Sequence, residues 1–345
     1  MKCKILKALL AGWGFVFLTL LVGCKQKREV STSFYFWKTV YQDNKTEQHY
    51  LQHFNSKELY VRIMDIDNDD LGVPTPIAPI NFKNKLPEYV NIIPVVFIVN
   101  DVLKNTDDTA LKKMAANIIR FVNGKVEQAG KQNYTALQID CDWTATTRQA
   151  YFSLLKEIKL LSKGKVLSAT LRLHQLKNQE KSGVPPVDKV LLMCYNMGNL
   201  RKYGSQNSIL DLAELKQYVN KNLGLYTMQV DLGLPLFSWA VAFRNNAYAG
   251  ISKKLNKANL ADKNKFDFTS QGLYRAKTDL PQFGLYKNDE IRYEESKFEE
   301  IKESTAYLAK YIANKPLNLV FYHLDESILK NFSTHDLEEI NHILR

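Results

Sequence analysis

The stretch ALQIDCDWT, residues 136–144, decides the fold. It is short, largely apolar and β-compatible, and it runs into a helical pattern over 146–161 with Ala150, Leu154, Leu155, Ile158 and Leu161 on one stripe. Within it Asp140 and Asp142 stand two apart, so both point to one side of a strand. Working outward, the same strand-then-helix unit recurs. Strands are predicted at 33–37, 58–65, 92–99, 136–142, 165–172, 189–196, 228–237 and 317–323. These runs are nearly continuously apolar, as parallel strands covered on both faces must be.

Helical spacing fills the gaps. The segment 108–126 carries Leu111, Met114, Ala115, Ile118, Ile119 and Val122 on one face; 209–223 and 294–312 follow the same rule. Ser333 and the acidic residues after it cap a terminal helix. Eight strands alternating with helices predict an α/β chain, a (β/α)8 TIM barrel. An open doubly wound sheet stays open as the alternative, because strand order is not written in the sequence. Two regions break the repeat: a proline-rich loop over 67–88, and an insertion at about 245–292 after the seventh strand.

The beginning of the chain reads as an export signal. Lys2, Lys4 and Lys7 precede an uncharged apolar run over 8–22, which suits a signal-peptide core better than a membrane span of ~20 apolar residues. Leu21-Val22-Gly23-Cys24 resembles the lipobox of bacterial lipoproteins, which implies a leader over 1–23, acylation of Cys24 and a tether over 24–32 before a single barrel domain over 33–345. An uncleaved N-terminal anchor is the alternative. The expected place is the bacterial cell envelope, on either face of a membrane. With 47 Lys+Arg against 36 Asp+Glu the chain carries +11; without Lys2, Lys4 and Lys7, 44 against 36 leaves +8. That excess is scattered, apart from the cluster over 25–28 suited to anionic head groups. No nucleic-acid-binding signature accompanies it. Cys141 and Cys194 lie in apolar strands and read as buried thiols, although a disulfide between them is open on sequence alone.

In a barrel of this kind the chemistry sits where strands end. Trp37 ends the first strand; Arg62, Asp65 and Asp67 belong to the second. Asp140 and Asp142 end the fourth, Arg172 and His174 the fifth, Tyr195 and Asn196 the sixth. Trp239 follows the seventh, and His323, Asp325 and Glu326 follow the eighth. Two carboxylates held close repel, which raises the pair's apparent pKa. The competing reading has one aspartate capping a helix and the other paired with Arg62 or Arg172. His49 and His53, four apart, could grip a metal but lack a glutamate base between them; the acidic run over 65–70 lacks the glycine and glutamate of a calcium loop. No metal or cofactor is expected.

Ile139-Asp140-Cys141-Asp142-Trp143 resembles the strand-four signature of family 18 glycoside hydrolases, the chitinases and their relatives, written Asp-Gly-x-Asp-x-Asp-x-Glu. Met193-Cys194-Tyr195-Asn196 is similar to their Met-x-Tyr-Asp, Trp239 matches a tryptophan that often floors the sugar site, and the insertion falls where many chitinases carry an extra domain. The resemblance implies a barrel and a glycan as partner. The departures are chemical. Leu137 and Gln138 replace Asp-Gly, Asn196 replaces an aspartate, and Thr144 stands at the catalytic glutamate. Threonine cannot be a general acid at neutral pH, so the family mechanism is not expected. The pattern also resembles bacterial barrel proteins related to family 18 that lack the acid.

Two functions follow. In the first, Asp140 and Asp142 form the acidic centre of a membrane-anchored glycoside hydrolase-like protein. Arg62, Asp65, Arg172, His174, Tyr195 and Asn196 surround or orient substrate there, Trp37 and Trp239 stack on sugar, and Asp325 or Glu326 replaces the missing acid. In the second, a non-catalytic descendant binds carbohydrate or protein at the same mouth.

Overall fold

The computed structural model describes residues 27–252 and 254–345. The leader and Cys24 lie outside the described residues. Eight parallel strands are present: β1 (Val30–Phe36), β2 (Glu58–Asn68), β3 (Asn91–Ile98), β4 (Ala136–Cys141), β5 (Val166–Arg172), β6 (Lys189–Met193), β7 (Gln229–Pro235) and β8 (Leu317–Tyr322). Each pairs with its sequence neighbours, and β1 also pairs with β8, with Val30 opposite Leu317 and Phe34 opposite Phe321. The ring is therefore closed, and the open-sheet alternative falls. Every predicted strand is present within a few residues of its expected bounds.

Alternation sorts each strand between two environments. On β4, Leu137, Ile139 and Cys141 point outward into the main core, packed under helices Asp108–Gln128 and Arg148–Leu161. Ala136 joins Tyr35, Tyr60, Ile93, Val95, Leu191 and Val320 in a separate cluster that fills the middle of the lumen. Below it, at the N-terminal ends of the strands, buried Asp231 accepts from Lys189 Nζ at 2.8 Å and from the Asn318 N–H at 3.0 Å. This polar floor closes the barrel and borders a cleft of about 820 Å3 shared with the terminal helix Thr334–Ile343. Cys141 and Cys194 are free and buried, as the apolar runs around them imply.

Three helices depart from the expected outline. The 209–223 segment is two short helices, Leu212–Tyr218 and Asn220–Gly224. Residues 294–297 belong to the insertion and its exit, so the helix begins at Phe298. A two-residue shift puts Thr147 rather than an aspartate at the cap of Arg148–Leu161. The proline-rich region also contains order: Pro74–Ile77 pairs antiparallel with the far end of β2, and Asn81–Phe82 pairs with Val40–Tyr41.

The insertion is a five-stranded antiparallel sheet, and it starts earlier than expected, at Ser238–Arg244, and ends with Glu290–Glu295. One face builds its own small core with Ala240, Ala242, Leu260, Phe266 and Ile291. The opposite face docks on the loop after β6. Arg292, 2% exposed, donates Nε to Glu294 at 2.6 Å and its remaining nitrogens to the carbonyls of Leu200, Lys202 and Gly204. Glu294 also accepts the N–H and hydroxyl of Ser208, both at 2.6 Å. Each guanidinium nitrogen here has an acceptor, as a buried pair needs to hold. Arg292→Ala leaves Glu294 without its counter-charge. It is expected to cost about 3–5 kcal/mol in urea unfolding and to speed amide exchange across 200–208.

Candidate functional site

At the C-terminal ends of the strands the lumen opens into a cavity of about 270 Å3. Its walls include Trp37, Asp65, Asp140, Asp142, Arg172, Tyr195, Asn196 and Tyr322. The strand geometry explains each one. Asp140 and Asp142 share a side of β4 because they are two apart, and Thr170 and Arg172 do the same on β5. Arg62 and Asp65 are three apart yet face the same way, because a bulge between Arg62 and Met64 shifts the register of β2 against β3. Gly233 on β7 makes room: a Cβ there would come within 2.9 Å of Leu191 and 3.3 Å of the Tyr195 ring. Asn196 turns the chain out of β6 at φ +53°, a left-handed conformation that asparagine tolerates.

Three carboxyl groups reach the cavity, and two are held by arginine. Arg62, 3% exposed, grips Asp65 through Nε at 2.7 Å and Nη2 at 2.6 Å, and reaches the Ala78 carbonyl at 3.0 Å. Arg172 holds Asp142 at 2.6 Å and donates to the Asn196 carbonyl at 2.8 Å, tying the ends of β4, β5 and β6 together. Asp140 has no arginine against it. It is 7% exposed and accepts only the Thr170 hydroxyl, at 2.6 Å. Burial, and then repulsion from Asp142, push its carboxyl up to about 7, against the Thr170 bond and the Arg172 charge. At neutral pH it therefore holds its proton a large part of the time.

Beneath Asp140, the Tyr35 hydroxyl donates to the Gln138 side chain, whose amide reaches the Ser168 hydroxyl at 3.4 Å. The wall is aromatic. Trp37, Tyr35, Tyr195 and Phe237 all pack on Tyr322, with ring centres 5.3–5.7 Å away. Asn196 Oδ1 is buried without a partner.

The remaining sequence candidates are placed elsewhere. Trp239 is the second residue of the insertion's first strand; it packs edge-on to Phe237 at 5.2 Å, outside the cavity lining, with its buried Nε1 unpartnered. Asp325 caps the short helix Glu326–Leu329 through the Ser327 N–H and lies 3.3 Å from Lys38. Glu326 accepts from Asn44 at 2.9 Å. Neither lines the cavity, so neither stands across it from Asp140. His174 lies in the helix Leu173–Lys177, outside the lining, and partial burial and Arg172 lower its pKa. Asp67 belongs to the hairpin beyond the rim. Trp143 is fully buried against Tyr151, with Nε1 on the Ser182 carbonyl. His53 pairs with Glu338 rather than sharing a ligand with His49.

Sequence reading missed Tyr35, Phe97 and Tyr322 in the wall and named Met193 only as part of the Met-x-Tyr-Asp-like stretch. Two of them carried a signal: Tyr35 is two before Trp37, and Tyr322 is the last strand residue before His323.

This arrangement can be compared with solved structures. The C-terminal domain of a putative chitinase from Desulfitobacterium hafniense superposes with a TM-score of 0.53 at 10% identity, over 92% of this chain and all of that one. The barrel has the chitinase fold. A chitinase from Bacteroides thetaiotaomicron gives 0.51 at 10% identity, covering 92% of this chain and 96% of the other. The Bacillus cereus spore cortex-lytic enzyme SleL gives 0.50 at 16% identity, over 91% of this chain and 75% of that chain. No protein-family model matches the sequence, nor does that of any curated protein. Thr144, where the sequence resemblance would put the family's acid, is exposed, and its hydroxyl lies 2.9 Å from that of Thr146.

Asp140 makes stability fall with pH in a defined window. Unfolded, the carboxyl ionises near 3.8; folded, near 7. Between these values the folded chain binds more protons than the unfolded chain, so stability declines as pH rises from about 4 to about 7 and then levels off. Asp140→Asn lacks this component. Relative to wild type it should gain on the order of 3 kcal/mol between pH 4 and pH 8, measured by chemical denaturation at both values.

Proposed function

We propose that this protein binds a glycan at the mouth of the barrel, seating one sugar unit against Trp37 and Tyr322, and that it does so without cleaving it. The observation that carries this reading is the state of the carboxyls. Asp65 and Asp142 are each neutralised by an arginine, Asp140 is protonated a large part of the time at neutral pH, and Thr144 offers no acid. Such a set makes directional hydrogen bonds with sugar hydroxyls: arginine and protonated carboxyl donate, and Asp142 accepts. Glycosidic cleavage asks for a proton donor and an ionised carboxylate both free to act across the bond. The cavity, just below the usual ~300–1,000 Å3 of small-molecule sites, suits one ring with the rest of the chain outside. The chitinase fold supports a chitin-like or cortex-like polymer as the glycan. The lipobox-like stretch ending at Cys24 supports a lipid anchor in the cell envelope.

A second reading, hydrolysis, is favoured by Asp140, whose carboxyl at about 7 is suited to proton donation. Calorimetric titration with chitin oligosaccharides, run beside a reducing-end assay, separates the two. Binding without product is expected from the wild type. Trp37→Ala should weaken binding about ten-fold, ~1.4 kcal/mol, while Asp140→Asn stays within a few-fold. Reducing ends released by wild type and lost in Asp140→Asn would replace the binding reading with the hydrolytic one. Absence of binding would remove both for this glycan.

A further inference from the structure

We infer that the barrel stands with its mouth turned away from the membrane that anchors it, so that the glycan it takes is a polymer lying beyond that membrane and not a saccharide carried on lipid in the same leaflet. This rests on the glycan reading and on the lipid at Cys24.

The argument is one of lengths. Arg28 fixes the chain's entry at the floor of the barrel. Its backbone N–H donates to the Arg345 carbonyl at 3.0 Å, and its guanidinium donates to the carbonyls of Leu344 at 2.6 Å and Ile312 at 3.0 Å. The Leu317 N–H, at the start of β8, donates to Glu29. From there β1 runs seven residues to the mouth. At ~3.3 Å per residue that is about 23 Å, or about 19 Å along the axis at the usual ~36° tilt. The hairpin made by Pro74–Ile77 on the last residues of β2 raises the rim further.

Cys24 and Arg28 are four residues apart and reach at most about 14 Å fully extended. If the mouth faced the bilayer, Arg28 would stand farther above it than this tether can stretch. With the floor facing the bilayer, Arg28 stands within that reach. The floor and its 820 Å3 cleft, bordered by Lys57, His342 and Arg345, then lie nearest the head groups.

β3 supplies the measuring rod. Asn91 is its first residue, exposed at the floor; Asp101, just past its other end, is exposed at the rim. The full chain carrying Asn91→Cys or Asp101→Cys, purified with its lipid and labelled with a fluorophore, is reconstituted into phosphatidylcholine–phosphatidylglycerol vesicles containing a head-group spin-labelled lipid. Mass spectrometry reports acylation of Cys24. The expected result is strong quenching at position 91 and, at 101, the level seen in vesicles free of spin label. Equal quenching at both positions, stronger quenching at 101, or an unacylated Cys24 overturns the proposal. Oligosaccharide titration of the same protein in detergent tests the glycan reading separately: if it fails while the 91/101 asymmetry holds, the orientation stands and only the ligand is wrong.

Discussion

Closure of the ring is the constraint on which the rest depends. Because β1 hydrogen-bonds both β8 and β2, no barrel strand is an edge, and the residues of the barrel strands face either the lumen or the helices. A lumen of this width is filled by side chains, so any polar group sent inward must find its partner there. Tyr35 finds Gln138, Thr170 finds Asp140, Arg62 finds Asp65, and Lys189 finds Asp231. The candidate site is the open end of this packed column, not a separate construction on the surface.

The charges at that end are arranged to cancel. Two guanidinium groups face three carboxyls, and the odd carboxyl is the most buried, accepts only the Thr170 hydroxyl and has its pKa pushed up to about 7. Arg172 does two things at once: it neutralises Asp142, and it fixes the carbonyl of Asn196 where β6 ends. The barrel thus shares its frame with solved chitinase structures. A site in which charges are pinned by short bonds favours recognition, because it presents fixed donors and acceptors at little cost in reorganisation.

The insertion belongs to the same logic. One face of its sheet is apolar enough to form a small core, so the unit holds its own shape. The other face is attached to the barrel by Arg292 and Glu294, a charged pair almost wholly removed from water and satisfied on every side. A unit fastened by such a network keeps its position relative to the loop after β6, next to the residues Tyr195 and Asn196 that line the cavity.

By itself the sequence determined the eight strands, most of the helices between them and the shared side of Asp140 and Asp142 on their strand, because alternation and apolar runs are local properties that any few residues display; that this side is the lumen came from the structure. It also marked Thr144 as a residue unable to donate a proton. Only the tertiary structure decided that the sheet closes, which arginine meets which carboxylate, and that Trp239, Asp325 and Glu326 lie outside the cavity. Those facts depend on pairs distant in the chain: β1 with β8, Arg172 with Asp142, Asp325 with Lys38. The bulge in β2 that turns Asp65 inward, and the insertion strand that carries Trp239 aside, are likewise set by neighbouring strands, whose register no single segment encodes.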